Sequence, residues 1–236
     1  MLCLVGVWYV VTEKLMLVNP LFLPSPVAVV DAFRVLMRDG FIGDIWMTIF
    51  RVMSAFVGSV ALAVPVALFL SESSVFRRFT IPYIDFVRYI PVPALIPIMI
   101  LFFGIGEESK IVLLFIGTFF QVVLLFDADI LNIPKEYFDL AYSLRFTQWQ
   151  RVRMKAQATM PDMCDNMRIS LGLCWSYVVI AELVSAQSGI GHMIKEAQRF
   201  SHTAEVFVGI LVMGAIGFFS DYLFRQGNRR FFPYKK

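Results

Sequence analysis

Cysteine and histidine are scarce in this chain, and charge is thin. The three cysteines, Cys3, Cys164 and Cys174, show no C-x-x-C spacing, and His192 and His202 stand ten residues apart in a polar stretch. Buried or idle thiols fit that pattern better than a metal or disulfide framework. No G-x-x-x-x-G-K-[ST] phosphate loop is present, and Gly104 and Gly106 of FGIGEES mark a turn rather than a nucleotide loop. No histidine and no cluster of acids lies within an apolar run, so nothing points to the catalytic pair of an enzyme. No Lys or Arg precedes the first apolar run, which argues against a cleaved signal peptide. Charged residues make up 17%, and the net charge of +3 is too small and too dispersed for a nucleic-acid partner.

Apolar residues are abundant instead. They make up 58% of the 236 residues, with a mean hydropathy of +0.72, where an ordinary soluble domain holds about 45–50%. The fold class expected is all-α, a polytopic membrane protein forming a single transmembrane domain over residues 1–236. Apolar runs of about 20 residues, the length a helix needs to cross a bilayer, cover roughly 47–70, 81–103, 110–130, 169–187 and 205–224. A sixth, from Met1 to about Val18, is marginal because Glu13 and Lys14 interrupt it. The expectation is five to six membrane helices.

Orientation follows from the basic residues. If the first span runs outward, segments 71–80, 131–168 and 225–236 lie inside and hold thirteen Lys and Arg, against six outside. Both termini and the central charged stretch are then cytoplasmic.

Between the first two spans, NPLFLPSPVAVVDAFRVLMRDG reads as a short amphipathic helix on the outer surface. Ser25 caps it, Pro26 suits its first turn, and Val27, Val30, Phe33 and Met37 form one face. In the next span Ala55, Ser59, Ala63 and Ala67 recur every four residues, a small-residue stripe suited to close packing against a helix of this chain or of a second subunit.

RYIPVPALIP then puts Pro91, Pro93 and Pro97 within one apolar run. Proline removes an amide donor and crowds the preceding turn, so this helix must kink or break. Broken spans are tolerated where protein or a cavity satisfies the freed carbonyls, which points to a solute path as readily as to a structural kink. Candidates for the path are Pro91 and Pro97 at the break, Gln121 and Asp127 in the next span, and Tyr177 and Glu182 in the one after. Glu182 is expensive in lipid and should face protein or water; it also reads as an acid at the outer end of its helix. Asp85 and Arg88 are spaced to pair on one helical face.

One of the most charged stretches, EYFDLAYSLRFTQWQRVRMKAQATMP, lies in a 38-residue segment, 131–168, between two spans. Tyr137, Leu140, Ala141 and Leu144 share one helical face, and Trp149, Val152, Ala156 and Met160 another. Thr147 and Gln150 form a capping box that starts the second helix. Two amphipathic helices joined by a turn at Arg145 to Thr147 would solvate a loop or dock a soluble partner.

Glu136, Asp139, Ala141, Ser143 and Leu144, followed by Thr147, Trp149, Arg151 and Met160-Pro161, resemble the EAA loop of ABC importer permeases. LFLPSPVAV, the TxxRV of Thr48 to Val52, RYIPVPALIPIMILFFGIGEESKI and SYVVIAELVSAQSGIGHMI extend the resemblance over Asn19 to Gly217, toward the nitrate, sulfonate, taurine and bicarbonate importer group. The resemblance implies a type I permease working by alternating access as one of two such subunits, a homodimer or a heterodimer. It would sit in the bacterial inner membrane among lipid and take a small anionic solute from a periplasmic or lipid-anchored binding protein. The EAA helices would dock a cytoplasmic ATPase pair, which would bind ATP and Mg, so this chain needs no cofactor of its own. The chain departs from the family at Arg145, where glycine is usual, at Leu140 and Asp139 within the EAA triplet, and at Ala55. An ion-coupled carrier half or a non-transporting membrane scaffold is the alternative, and the EAA-like loop argues against the carrier, which needs no ATPase dock.

Overall fold

The longest apolar runs become the longest helices. In a computed structural model describing residues 2–15 and 18–233, α3 (Phe41–Leu70), α6 (Glu107–Leu131), α8 (Gln148–Ser185) and α10 (Thr203–Phe231) are each long and apolar enough to cross a membrane. Met1, Met16, Leu17 and residues 234–236 lie outside the described residues, as do the side chains of residues 2–5, including the thiol of Cys3.

Helices α3 and α6 form a parallel central pair. Arg51 meets Glu107 at one end, Ser59 Oγ donates to the Phe115 carbonyl at 3.2 Å along the way, and Ala67 and Leu70 pack with Phe126 and Ile130 at the other end. The chain between two parallel helices must return across the same thickness. It does so through α4 (Ser74–Arg88), a 3-10 turn at Val92–Leu95 and α5 (Ile96–Phe103), with a bend of 88°. The proline-rich run is thus a broken fifth span. Its Asp85 and Arg88 pair at 2.7 Å, as their spacing implied. The small-residue stripe of α3 is buried on α6 of the same chain, with Ala55, Ser59, Ala63 and Ala67 all at 1% exposure or less.

Helix α8 runs antiparallel to α3, touching it through Lys155 and Ser71 at one end and Glu182 and Arg51 at the other. Helix α10 runs antiparallel to α8, with Trp175 Nε1 donating to Ser220 Oγ at 3.1 Å and Asn228 Nδ2 to Asp165 at 2.6 Å. The bundle therefore has two distinct ends. One gathers Arg77, Arg78, Lys135, Arg145, Arg151, Arg153, Arg229 and Arg230; the other holds Arg51, Glu107 and Glu182.

The first segment falls short of a span. Helix α1 (Leu2–Tyr9) and a π-turn at Val10–Lys14 cover thirteen described residues, or about 20 Å at 1.5 Å per residue, where the hydrocarbon core needs about 30 Å. A sixth crossing is not present among the described residues. Helix α2 (Pro26–Arg38) forms where expected, its Ser25 Oγ accepting from the Ala28 amide at 3.3 Å. Val29 turns into the bundle at 6% exposure, with Ala32 and Leu36 beside it; of the apolar face read from the sequence, Val27, Val30 and Phe33 stand exposed and Met37 packs on the core. The heptad of apolar residues is wide enough for either face, and contact with α10 selects Val29.

The charged stretch is also differently divided. Helix α7 (Lys135–Ser143) is separate, but the second expected helix is the first part of α8, continuous through Pro161 into the membrane-crossing part. The Thr147 capping box forms as read, with the Thr147 amide donating to Gln150 Oε1 at 2.8 Å and the Gln150 amide to Thr147 Oγ1 at 3.4 Å.

Candidate functional site

An unburied apolar face lies on α7 and the first turns of α8. Tyr137, Leu140, Tyr142, Leu144 and Trp149 are exposed, Tyr142 at 87% and Trp149 at 75%. Glu136, Asp139, Ser143, Arg145, Thr147 and Arg151 are exposed around them. Ala141 is the exception. It is 3% exposed within this chain, so it packs the turn from inside and is not a contact open to a partner. At 3.6 residues per turn it stands about 100° from each of Leu140 and Tyr142, so it turns inward while both neighbours stay exposed.

Arg145 keeps the turn that glycine would make. Its φ is +52°, in the left-handed region, where a side chain costs about 1–2 kcal/mol. The Phe146 amide donates to the Ala141 carbonyl at 2.9 Å and the Arg145 amide to Tyr142 at 3.0 Å. These paired bonds close the end of α7 in the manner usual for a C-terminal glycine.

The broken span packs against α6 and α8 at one close contact. A Cβ on Gly117 would lie 2.7 Å from Val92 Cγ2 and 3.2 Å from the Tyr177 ring, so only glycine lets the 3-10 turn approach α6 this closely. Pro91 and Pro97 are exposed at the break, while Gln121 and Tyr177 are half-buried. Asp127 is not open to a path. It is 4% exposed and accepts both arms of Arg77, at 2.8 Å from Nε and 2.7 Å from Nη2.

Glu182 is likewise withdrawn from any path and is no wet helix end. It is 0% exposed and accepts from Arg51 Nη1 at 2.5 Å, from Thr48 Oγ1 at 2.9 Å and from the Gly191 amide at 2.8 Å. Arg51, also 0% exposed, donates further to both carboxylate oxygens of Glu107 and to Ser188 O and Oγ at 2.8 and 3.0 Å. All five guanidinium N–H groups thus have acceptors. Lys110 Nζ adds a bond to Glu107 at 2.8 Å. The Ser188–Gly191 turn closes over the pair, with the Gly189 amide on Asp44 at 2.6 Å and the Ile190 amide on Thr48 at 2.9 Å. At Gly189, φ is +109° and a Cβ would come within 2.5 Å of Arg51 Nη1 and Glu182 Oε1. This clamp joins α3, α6, α8 and the start of α9 (Ile190–Arg199).

The sequence offers TxxRV and SYVVIAELVSAQSGIGHMI, the latter holding both Glu182 and the Ser188–Gly191 turn, as separate stretches and does not join them. Arg51 stands there only as the arginine of TxxRV, and Glu107 and Gly117 carry no signal of their own. An arginine within an apolar run is the cue that a buried acid must exist.

Residues 59–233 match the family of binding-protein-dependent transport system inner membrane components. A probable ABC transporter permease protein of Brucella melitensis is 33% identical over 96% of this chain and 91% of its own length. The taurine transport system permease protein of Escherichia coli is 32% identical, over 98% of this chain and 86% of its own. A putative aliphatic sulfonates transport permease protein of Bacillus subtilis is 30% identical over 98% and 84%. A chain of the MetNI methionine ABC transporter in an inward-facing conformation superposes with a TM-score of 0.64 over 77% of this chain and 93% of its own, at 18% identity, a likeness of fold. On its helices and these matches, the chain belongs to the binding-protein-dependent transport system inner membrane components, as a permease subunit of an ABC importer.

Proposed function

We propose that this permease imports a small anionic solute of the sulfonate type, taurine included, and that it works in the cytoplasmic membrane as one of a pair of like subunits, with the basic end of the bundle and the end of α10 inside. Five crossings then put the start of α3 outside, where the sequence alone places both termini inside. The observation that carries the docking part of this reading is the open apolar face of Tyr137, Leu140, Tyr142, Leu144 and Trp149 at the end richest in Lys and Arg. Basic residues gather on the cytoplasmic side of membrane proteins, and a cluster of exposed aromatics there is the composition of an interface centre. An ATPase fits it, with Glu136, Asp139, Ser143, Arg145, Thr147 and Arg151 as a polar rim.

The chain is a transport subunit and not an enzyme; ATP hydrolysis belongs to a separate subunit, which holds ATP and Mg. Closure of the ATPase pair moves the docked helices, and the membrane helices open toward the binding protein. The broken span, through Pro91 and Pro97, lines the path together with Gln121 and Tyr177. The solute class rests on the taurine and sulfonate relatives.

Trp149→Ala tests the docking. With its side chain 75% exposed, its loss should leave folding intact while the ATPase no longer copurifies and uptake of labelled taurine or alkanesulfonate stops. Full retention of the ATPase would refute the assignment of this face. Uptake of nitrate or bicarbonate in place of sulfonates, with docking intact, would move the solute class alone.

A further inference from the structure

The part of α8 that carries Trp149 reaches the membrane-crossing part of the same helix only through Pro161. A proline inside a helix removes a donor and crowds the carbonyl one turn earlier, so α8 is weakest between the exposed face and the buried clamp. Before that proline, Lys155 reaches sideways out of the helix. Its side chain is 9% exposed, and Nζ donates to Glu72 Oε1 at 2.6 Å and to Ser71 O and Oγ, both at 3.1 Å. Three acceptors match the three ammonium donors. They sit at the C-terminus of α3, where unpaired carbonyls favour a cation. Helix α3 has its own Pro65, but beside it Ala63 and Ala67, both 0% exposed, lie packed on α6. From there α3 continues to Arg51.

We propose that Lys155 is a positioning residue for transport: it pins the docking turns of α8 to the end of α3. Motion of the docked ATPase then enters the α3–α6 pair without passing through the joint at Pro161. The inference rests on the docking reading above.

Lys155→Met keeps the apolar stem and removes the ammonium, while Glu72→Gln weakens the pin from the other side. In the purified complex with Lys155→Met, the ATPase should remain bound and hydrolyse ATP, and solute imported per ATP should fall about tenfold, within the span of coupling mutations. Lys155→Arg should regain most of the loss, and Glu72→Gln should fall between. Spin labels at Phe69 and Arg153, on the exposed flanks of α3 and α8, should keep one separation with and without nucleotide when Lys155 is present, and change it in Lys155→Met. Unchanged import per ATP in both variants would overturn the proposal. So would a label separation that shifts with nucleotide while Lys155 is intact. Loss of the ATPase in Lys155→Met would also overturn it, by placing Lys155 in the interface itself. Should Lys155→Met fail to fold, Glu72→Gln and the label separation decide. If Trp149→Ala keeps its ATPase, the docking reading fails, and the label separation still judges the pin.

Discussion

Arg51 shows how one residue can hold four elements. Its guanidinium is fully enclosed and reaches Glu107, Glu182 and both oxygens of Ser188. The planar fork of arginine suits such divergent acceptors, whereas lysine offers a single point charge. Arg51→Met would leave Glu182 buried without a cation, and removing one partner of a buried pair costs about 3–5 kcal/mol. The midpoint of thermal unfolding in detergent should drop accordingly, with Arg51→Lys intermediate. An unchanged midpoint in Arg51→Met would mean that the clamp adds nothing to the bundle. The clamp itself was invisible in the sequence because 131 residues separate Arg51 from Glu182 and only folding shows which acid answers which cation. Local features were legible for the opposite reason: the Ser25 and Thr147 caps and the Asp85–Arg88 pair span three residues each, a distance that helical geometry sets by itself.

Among the elements, the broken span is the one whose place depends on a neighbour's smallest residue. Three prolines predict the break, but not where it rests; Gly117 decides that by admitting Val92. Gly117→Ala should push the 3-10 turn away from α6 and lower uptake several-fold, with the ATPase still copurifying. Adding Val92→Ala in the same chain should make room and recover uptake. Equal uptake in wild type and Gly117→Ala would show that this contact is slack. Helix faces were harder to read than helix existence. On α2 the apolar residues cover more than one stripe, so Val29 rather than Val30 turns inward only because α10 lies there. On α7, Ala141 reads equally well as a contact surface or as the inner packing residue it is.

For the whole molecule, the parallel pair α3–α6 and the antiparallel α8 and α10 leave one end basic and the other clamped. Four continuous spans and one broken one were legible because bilayer thickness alone sets the length of an apolar run; the marginal first segment was not, since its apolar part is shorter than that length. Cys164 lies in α8 between Pro161 and the membrane-crossing part. With Cys164 as the only cysteine, a membrane-impermeant thiol reagent should label it after permeabilisation and not in intact cells. Labelling of intact cells would reverse the orientation of the bundle.

The order in which the clamp's members are made gives it a temporal side. Arg51 leaves the ribosome 56 residues before Glu107 and 131 before Glu182. At about 5–20 residues per second, that charge waits several seconds for its first carboxylate and, by the same rate, roughly 7–26 s for its second. Until then α3 is a nascent span with an unanswered cation, dependent on interfacial water or on the insertion machinery. Glu107 is therefore the first of the clamp's acids that can answer this charge, and the clamp can shut only once α8 and the Ser188–Gly191 turn have been made.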